Sequence, residues 1–529
     1  MAAVNKNFPI TVNGEPFLLL AGEVHNSNAS SVEAMEPIWQ KARELHLNTV
    51  LLPITWELLE PEEGRFDFRL TDALIAKARA NNMKLGILWF GAWKNAQCWY
   101  APMWVKRDTR RFWRAEVEKG KNKVLLKDFN NMPYTTLSCH CEETMQADAR
   151  AFSELMRHLR QVDEKERTVV VVQVENEPGL QGAAREHSDY ADELFSKKVP
   201  EDFASYMKLH TETMSKDVQR AVECGRVDGT WAEVFGVAAE EIFQAYSVAN
   251  YVETIAAAGS REYDLPMIVN AWLSKGQEPG VFPSGGPVAR MMEVWKYCAP
   301  HIKVLAPDIY VKNFCETCDE YIKMDNPLLI PETSTHSHAA PRLVYVIGHY
   351  HALGYAPFAF ENMGEPFNAI DSYLFGVDTS DPLLQCPQDP ENYAWFNETL
   401  CAMMPLLTER YGTGRLQAVI GERPEENRMI FDSFGFSILT DMPPMIDRRD
   451  GVCLALQLEE NEFYLIASGC MVSMFSTDPQ KPNVDILSLE EGNFREGTWH
   501  MFRRLNGDEA ASMRYDRPTL LKIKLFAYT

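Results

Sequence analysis

The run Val169-Val170-Val171-Val172-Gln173-Val174-Glu175-Asn176-Glu177-Pro178-Gly179 constrains the fold more than any other stretch of this chain. Four consecutive β-branched residues suit a strand buried on both faces, the condition of a parallel strand covered by helices, and Pro178-Gly179 stops it. The strand therefore ends in two carboxylates and an amide at the rim of a hydrophobic sheet. Ionisable groups cost free energy there, so the stretch reads as a catalytic mouth, with a salt-bridged structural end as the competing reading.

The rest of the first two thirds repeats that element. An Asn13-Gly14 hairpin signal precedes a strand running from Phe17 through Glu23-Val24-His25. Met35, Ile38, Trp39, Ala42 and Leu45 then recur at helical spacing. Further strands are expected at 49–57, 85–90, 169–177, 266–272, 304–310, 327–332 and 357–361, with helices between them, one around 70–80 and one carrying Phe152, Leu155, Met156, Leu159 and Val162. Eight short apolar strands alternating with helices over about 360 residues imply a (β/α)8 TIM barrel, whose active site lies at the C-terminal strand ends. A doubly wound open sheet shares the alternation, but no Gly-rich phosphate loop follows the first strand.

The pattern changes after about residue 375. A helix is expected over Tyr393–Leu407, and alternating runs such as Phe463-Tyr464-Leu465-Ile466-Ala467 imply a smaller C-terminal β-rich domain of about 110 residues. The expected division is 1–375 for the barrel with its hairpin, 376–412 for a helical linker and 413–529 for a sandwich-like domain. The segment Tyr100–Thr144 is long enough for a lid or rim loop; Leu180–Tyr246 and Ser274–Met292 would also build over the mouth.

Composition narrows the function. A formal net charge of −23 repels phosphate backbones and anionic lipid surfaces, so nucleic-acid and membrane roles are disfavoured. No apolar run has signal-peptide or membrane-spanning length, and the 11 cysteines, odd and scattered, suit reduced thiols. A cytoplasmic location is expected, with self-association into a homo-oligomer left open.

Glu177 and Glu332 stand out, ending the fourth and seventh strands. Two converging carboxyls are what a retaining glycosidase needs, one as nucleophile and one switching from acid to base. Glu175 is the rival carboxylate, with a buried ion pair as its alternative role. Strand alternation sends Asn176 and Glu177 to opposite faces unless the strand bulges there.

These residues carry a resemblance. Gln173–Gly179 resembles the acid/base motif of clan A glycoside hydrolases, especially the family 35 and family 42 β-galactosidases, and Trp56-Glu57-Leu58-Leu59-Glu60-Pro61-Glu62-Glu63-Gly64-Arg65-Phe66-Asp67-Phe68 resembles their second-strand motif. The resemblance covers about residues 10–365, and Ile486–Gly492 lies in a region similar to an uncharacterised domain attached to a bacterial branch of family 35. It implies Glu177 as acid/base, Glu332 as nucleophile, Asn176 on the sugar 2-hydroxyl and Tyr310 holding the nucleophile. The eighth strand ends in Glu361-Asn362 where a tryptophan is usual in the clan, which leaves the sugar open.

Trp56, Trp89, Trp93 and Trp272 near strand ends offer flat faces to sugar C–H groups or pack the core. Glu23, His25 and Glu361 are candidate hydroxyl ligands, with a salt-bridged rim as the competing reading for Glu23 and His25. Cys139-His140-Cys141 and Cys315-Glu316-Thr317-Cys318 hold thiols at short spacing without a second matching pair, so neither metal nor cofactor is expected. His336 and His338 follow the proposed nucleophile and could contact substrate, though two loop histidines more often face solvent, and no Gly-x-Ser-x-Gly elbow supports serine hydrolysis. The sequence thus points to a retaining exo-acting glycoside hydrolase, a β-galactosidase first, acting on an oligosaccharide or glycoside. The alternatives are a clan A hydrolase for another β-linked sugar and a sugar-binding barrel without catalysis.

Overall fold

The computed structural model describes residues 8–117, 135–366, 386–440, 450–495 and 497–529. Eight strands, β1 (Leu19–Glu23), β2 (Thr49–Thr55), β3 (Lys84–Lys94), β4 (Val169–Asn176), β5 (Met267–Trp272), β6 (Ile302–Ile309), β7 (Leu329–Thr333) and β8 (Gly354–Pro357), pair in chain order and close into a barrel. Every pairing is parallel, including β8 on β1. This is the expected (β/α)8 barrel. All of Val169–Asn176 is buried, as a strand with helices outside and packed side chains inside requires.

The covering helices follow the apolar spacing. In α1 (Val32–Glu44) the buried residues are Met35, Ile38, Trp39 and Ala42, and the Ser31 hydroxyl accepts from the Ala34 N–H to cap the first turn. Behind α2 (Arg69–Ala80) comes α3 (Glu142–Asp163), which buries Phe152, Leu155, Met156 and Leu159. Ahead of the barrel, Thr11–Val12 pairs antiparallel with Glu15–Pro16 across Asn13 (φ 54°) and Gly14 (φ 81°), the two left-handed residues of a tight hairpin turn.

One strand differs from the sequence reading. The eighth is expected at 357–361 but runs over Gly354–Pro357, and Phe360–Asn362 forms a 3-10 turn. Ala359 adopts φ 55°, which ends extended backbone, so the apolar Phe358-Ala359-Phe360 triplet caps the barrel instead of extending it. Of the expected lid segment, 118–134 lies outside the described residues.

After α4 (Pro390–Arg410) the chain forms two antiparallel sheets. Six strands are ordered Leu416–Ile420, Val452–Glu459, Glu462–Ser468, Thr519–Tyr528, Asn483–Arg495, Thr498–Arg504; four are ordered Arg428–Ile430, Phe434–Leu439, Cys470–Ser476, Arg514–Tyr515. Period-two alternation buries Leu416–Ile420, Val452–Glu459 and Glu462–Ser468 of the six-stranded sheet on both faces. Leu416, Ala418, Ile420, Val452, Leu454 and Leu456 join the barrel's core. The residues between them, Val419, Cys453 and Ala455, join a second core with Phe436, Phe463 and Leu521.

A buried ion pair crosses that junction. The Arg342 guanidinium donates to both Glu422 carboxylate oxygens at 2.7 Å, and the His338 Nδ1 lies 3.2 Å from Glu422. His336 and His338 are therefore buried beside Arg342 and do not face solvent, because residues 386–388 pair with the loop they stand on and Glu422 meets His338. All 11 cysteines are free thiols.

Candidate active site

The conflict over Asn176 and Glu177 is resolved by a bulge. Trp89 of β3 pairs with Val174 of β4, but the next partners are Lys94 and Asn176, so residues 90–93 bulge opposite Glu175. Glu175 (φ 61°) and Glu177 (φ 46°) take left-handed conformations, each costing on the order of 1 kcal/mol or more for a residue with a side chain. Strain of this kind persists where surrounding contacts impose it. Here Asn176 and Glu177 both reach the barrel mouth, while Glu175 folds back beneath β3.

Glu175 becomes a brace. Its carboxyl accepts the N–H groups of Trp93 at 2.7 Å and Ala92 at 3.2 Å. Beside it Asp148 accepts from the Trp89 indole at 2.8 Å, the Ala92 N–H at 3.1 Å and the Tyr251 hydroxyl at 3.1 Å. Burial first, and then the neighbouring Asp148, hold the Glu175 carboxyl well above its ordinary range. Gly91 admits the pair: a Cβ there would lie 2.5 Å from Glu175 Oε1 and 2.6 Å from Asp148 Oδ1. Trp89 and Trp93 are buried in this brace, Trp93 packing on Tyr251 with ring centres 4.5 Å apart.

Glu332 and Glu177 face one chamber, each 5% exposed. Glu332 accepts the Tyr310 hydroxyl at 3.0 Å and the side-chain amides of Asn176 and Asn270 at 3.2 Å each. Asn270 also accepts the Glu177 backbone N–H at 2.8 Å and donates to Asp308 at 2.7 Å, so one amide spans both glutamates. The Asn95 amide donates to the Glu177 carboxyl. Burial, and then the charge of Glu332, raise Glu177 to about 7 against the pull of Lys94. Asp308 and Glu23 are also raised well above the carboxylate range, by burial and then by Glu332. Glu23 closes the chamber from β1, and no N–H or O–H donor among the described residues reaches its buried oxygens.

The remaining expected residues divide. Glu361 sits on the rim, accepting from His25 Nδ1 at 2.8 Å, the His25 N–H at 3.0 Å and the Asn28 amide at 2.6 Å, so His25 and Glu361 tie the β1 and β8 ends together. Trp272 ends β5 in register with Asp308, partly exposed. Trp56 is a correction: the chain turns into a helical turn at Trp56–Leu59, burying that indole in the core against Trp104, with its N–H on Glu60 at 2.8 Å. It does not line the chamber. The sequence reading passed over Lys94, Asn95, Asn270 and Asp308. Asn270 and Asp308 stood in expected strands, and a polar residue late in a buried strand was their signal; Lys94 and Asn95 lay past the expected end of β3 and carried none.

The two thiol motifs stay apart. Ligand atoms of Cys139, His140 and Glu186 come within 4.8 Å of one another, and among the described residues no such group includes Cys315 or Cys318. Cys141 turns away to the Arg111 carbonyl at 3.3 Å, and Glu186 is held by the Ser138 and Ser188 hydroxyls. No helix among the described residues is long and apolar enough to cross a membrane.

Fold and site together define a parallel (β/α)8 barrel with acidic groups gathered at the C-terminal ends of its strands, where barrel enzymes hold their chemistry. Residues 9–98 match the model of Glycosyl hydrolases family 35, and residues 396–515 that of a domain of unknown function (DUF5597). The chain is thus similar to family 35 through its first barrel strands, and its C-terminal sheets to an uncharacterised domain. A beta-galactosidase of Xanthomonas manihotis is 28% identical over 186 residues, 34% of this chain and 26% of that protein, so the match spans about a quarter of the relative. Among solved structures, the beta-galactosidase from Bacillus circulans sp. alkalophilus aligns over 76% of this chain and 57% of its own at 13% identity and TM-score 0.47. The beta-galactosidase from Rahnella sp. R3 aligns over 75% and 58%, also at 13% and 0.47.

Proposed function

We infer that this chain is a retaining exo-acting glycoside hydrolase, a β-galactosidase in the first instance, with Glu332 as nucleophile and Glu177 as acid/base. The observation that supports the reading is the nearness of the two glutamates: the Asn270 amide touches the Glu177 backbone and the Glu332 carboxylate at once, and the charge of Glu332 acts on the Glu177 carboxyl. Tyr310 and Asn176 donate O–H and N–H hydrogen bonds to Glu332, which orient its carboxylate for attack on the anomeric carbon. Glu177, raised to about 7, holds the proton that the leaving oxygen needs. Once the glycosyl-enzyme forms, the charge of Glu332 is gone, its upward push on Glu177 ends, and Glu177 becomes the base that activates water.

Asn176 is assigned to the sugar 2-hydroxyl, Glu23 to a buried hydroxyl, and Trp272, His25 and Glu361 to the rim of the sugar site. Residues 1–375 are read as the catalytic unit, 376–412 as linker and 413–529 as the domain behind it, in a cytoplasmic protein with reduced thiols. The test is a panel of aryl glycosides, with the anomeric configuration of the first product followed by proton NMR. Turnover of the β-galactoside with retention is expected. Turnover of another β-linked sugar alone would move the specificity, inversion would remove the double displacement, and no turnover would leave a sugar-binding barrel.

A further inference from the structure

Lys94 ends β3 just past the bulge, 3% exposed, with its ammonium 5.2 Å from the centre of the Phe90 ring. It donates to Asn176 Oδ1 at 2.9 Å and stands 3.9 Å from Glu332 Oε1. An ammonium can only donate, so the oxygen of the Asn176 side chain must face Lys94. Its NH2 is then left for Glu332, at 3.2 Å, and for a sugar hydroxyl.

We propose that Lys94 is a positioning residue of the Glu177–Glu332 centre, its ammonium locking the Asn176 amide in one orientation and holding Glu332 in the charged form that attacks. This rests on the glycosidase reading above. The charged groups around the ammonium come from four parts of the barrel: Glu23 from β1, Glu177 after β4, Asp308 from β6 and Glu332 from β7. Lys275, beyond β5, also acts on Glu177. Burial alone would discharge Lys94, but the surrounding carboxyls outweigh it and keep its pKa above the ordinary lysine value. Of the four acids around the ammonium, Glu332 is the one in ion-pair range, at 3.9 Å, and the first of the charges that act on Lys94.

Two readouts test this: labelling by dinitrophenyl 2-deoxy-2-fluoro-β-galactoside, located by mass spectrometry, and the pH profile of that labelling and of nitrophenyl β-galactoside turnover. In the wild type the label is expected on Glu332. In Lys94→Met the acid limb of the labelling profile should move up by about one pH unit or more, because the nucleophile loses its cation. The basic limb of turnover should follow, because Glu177 loses the same influence. Lys94→Arg should keep both limbs near the wild type. Folding is checked by thermal melt; where Lys94→Met does not accumulate folded, Lys94→Gln keeps an N–H for Asn176, removes the charge and should shift the same limb. A folded, uncharged variant whose limbs stay in place overturns the proposal. A wild-type label away from Glu332 overturns instead the glycosidase reading beneath it.

Discussion

Glu177 offers the sharpest test, because one displacement predicts both a rate profile and a stability profile. Its carboxyl is raised from 4.5 to about 7, a difference of about 2.5 units. At pH 7 an unshifted glutamate would be protonated in roughly one molecule in 300, whereas this one is protonated in about half. The basic limb of kcat/KM should therefore lie near pH 7, activity falling as the proton is lost. Glu177→Ala, assayed on a dinitrophenyl glycoside that needs no acid to leave, should lose that limb. Stability should fall over the same pH range. A folded-state pKa above the unfolded one favours the fold fully below about 4.5, and the advantage is lost as pH rises through about 7, a swing of about 3 kcal/mol. Glu177→Gln should thus stabilise the protein at pH 8 by up to about that amount, on the order of 3 °C in Tm for a chain of this length, and have little effect near pH 4.5. A basic limb below pH 5.5, a limb that survives in the alanine variant, or equal melting of both proteins at pH 8 would refute the reasoning.

Glu332→Gln should lower turnover at least about a thousandfold on good and poor leaving groups alike, since no bond to the anomeric carbon can form; activity within tenfold of the wild type would remove the nucleophile assignment. Glu422→Gln strips Arg342 of its buried partner and should destabilise by about 3–5 kcal/mol, read as a drop in urea midpoint. The pair also predicts acid sensitivity. Glu422 is held well below its ordinary range by the neighbouring Arg342, outweighing burial, so its stabilisation is complete above the unfolded glutamate value and fades as pH falls below it, a slope that Glu422→Gln should flatten. Gly91→Ala places a methyl group against Glu175 and Asp148 and should lower activity with the substrate contacts untouched, because it moves the bulge that aims Glu177; unchanged kcat would count against that role.

The barrel was legible because its signal is redundant: each β-branched run and each helical stripe reports the same layering, and β4 alone carries four valines. The eighth strand was shifted because apolar residues that cap a barrel look like residues that line it, and only the left-handed Ala359 distinguishes them. Glu177 and Glu332 stood out as carboxylates ending buried strands, whereas Asn176 and Tyr310 were singled out by the family 35 resemblance. Lys94 was not, since its place depends on a register slip between β3 and β4 that no local spacing encodes. Trp56 misled for a related reason. An indole just past a strand end looks like a sugar platform until the next turn of helix carries it inward.

The first three strands of the sheet beginning at Leu416 have no face left for water: one side lies against the barrel and the other closes its own sandwich. The tail is consequently part of the foundation and not an appendage. Cutting the gene before that strand would strip the barrel's outer wall and leave Arg342 without its anion, so such fragments should be recovered as aggregates, and grafting a foreign module in its place would require recutting both apolar surfaces.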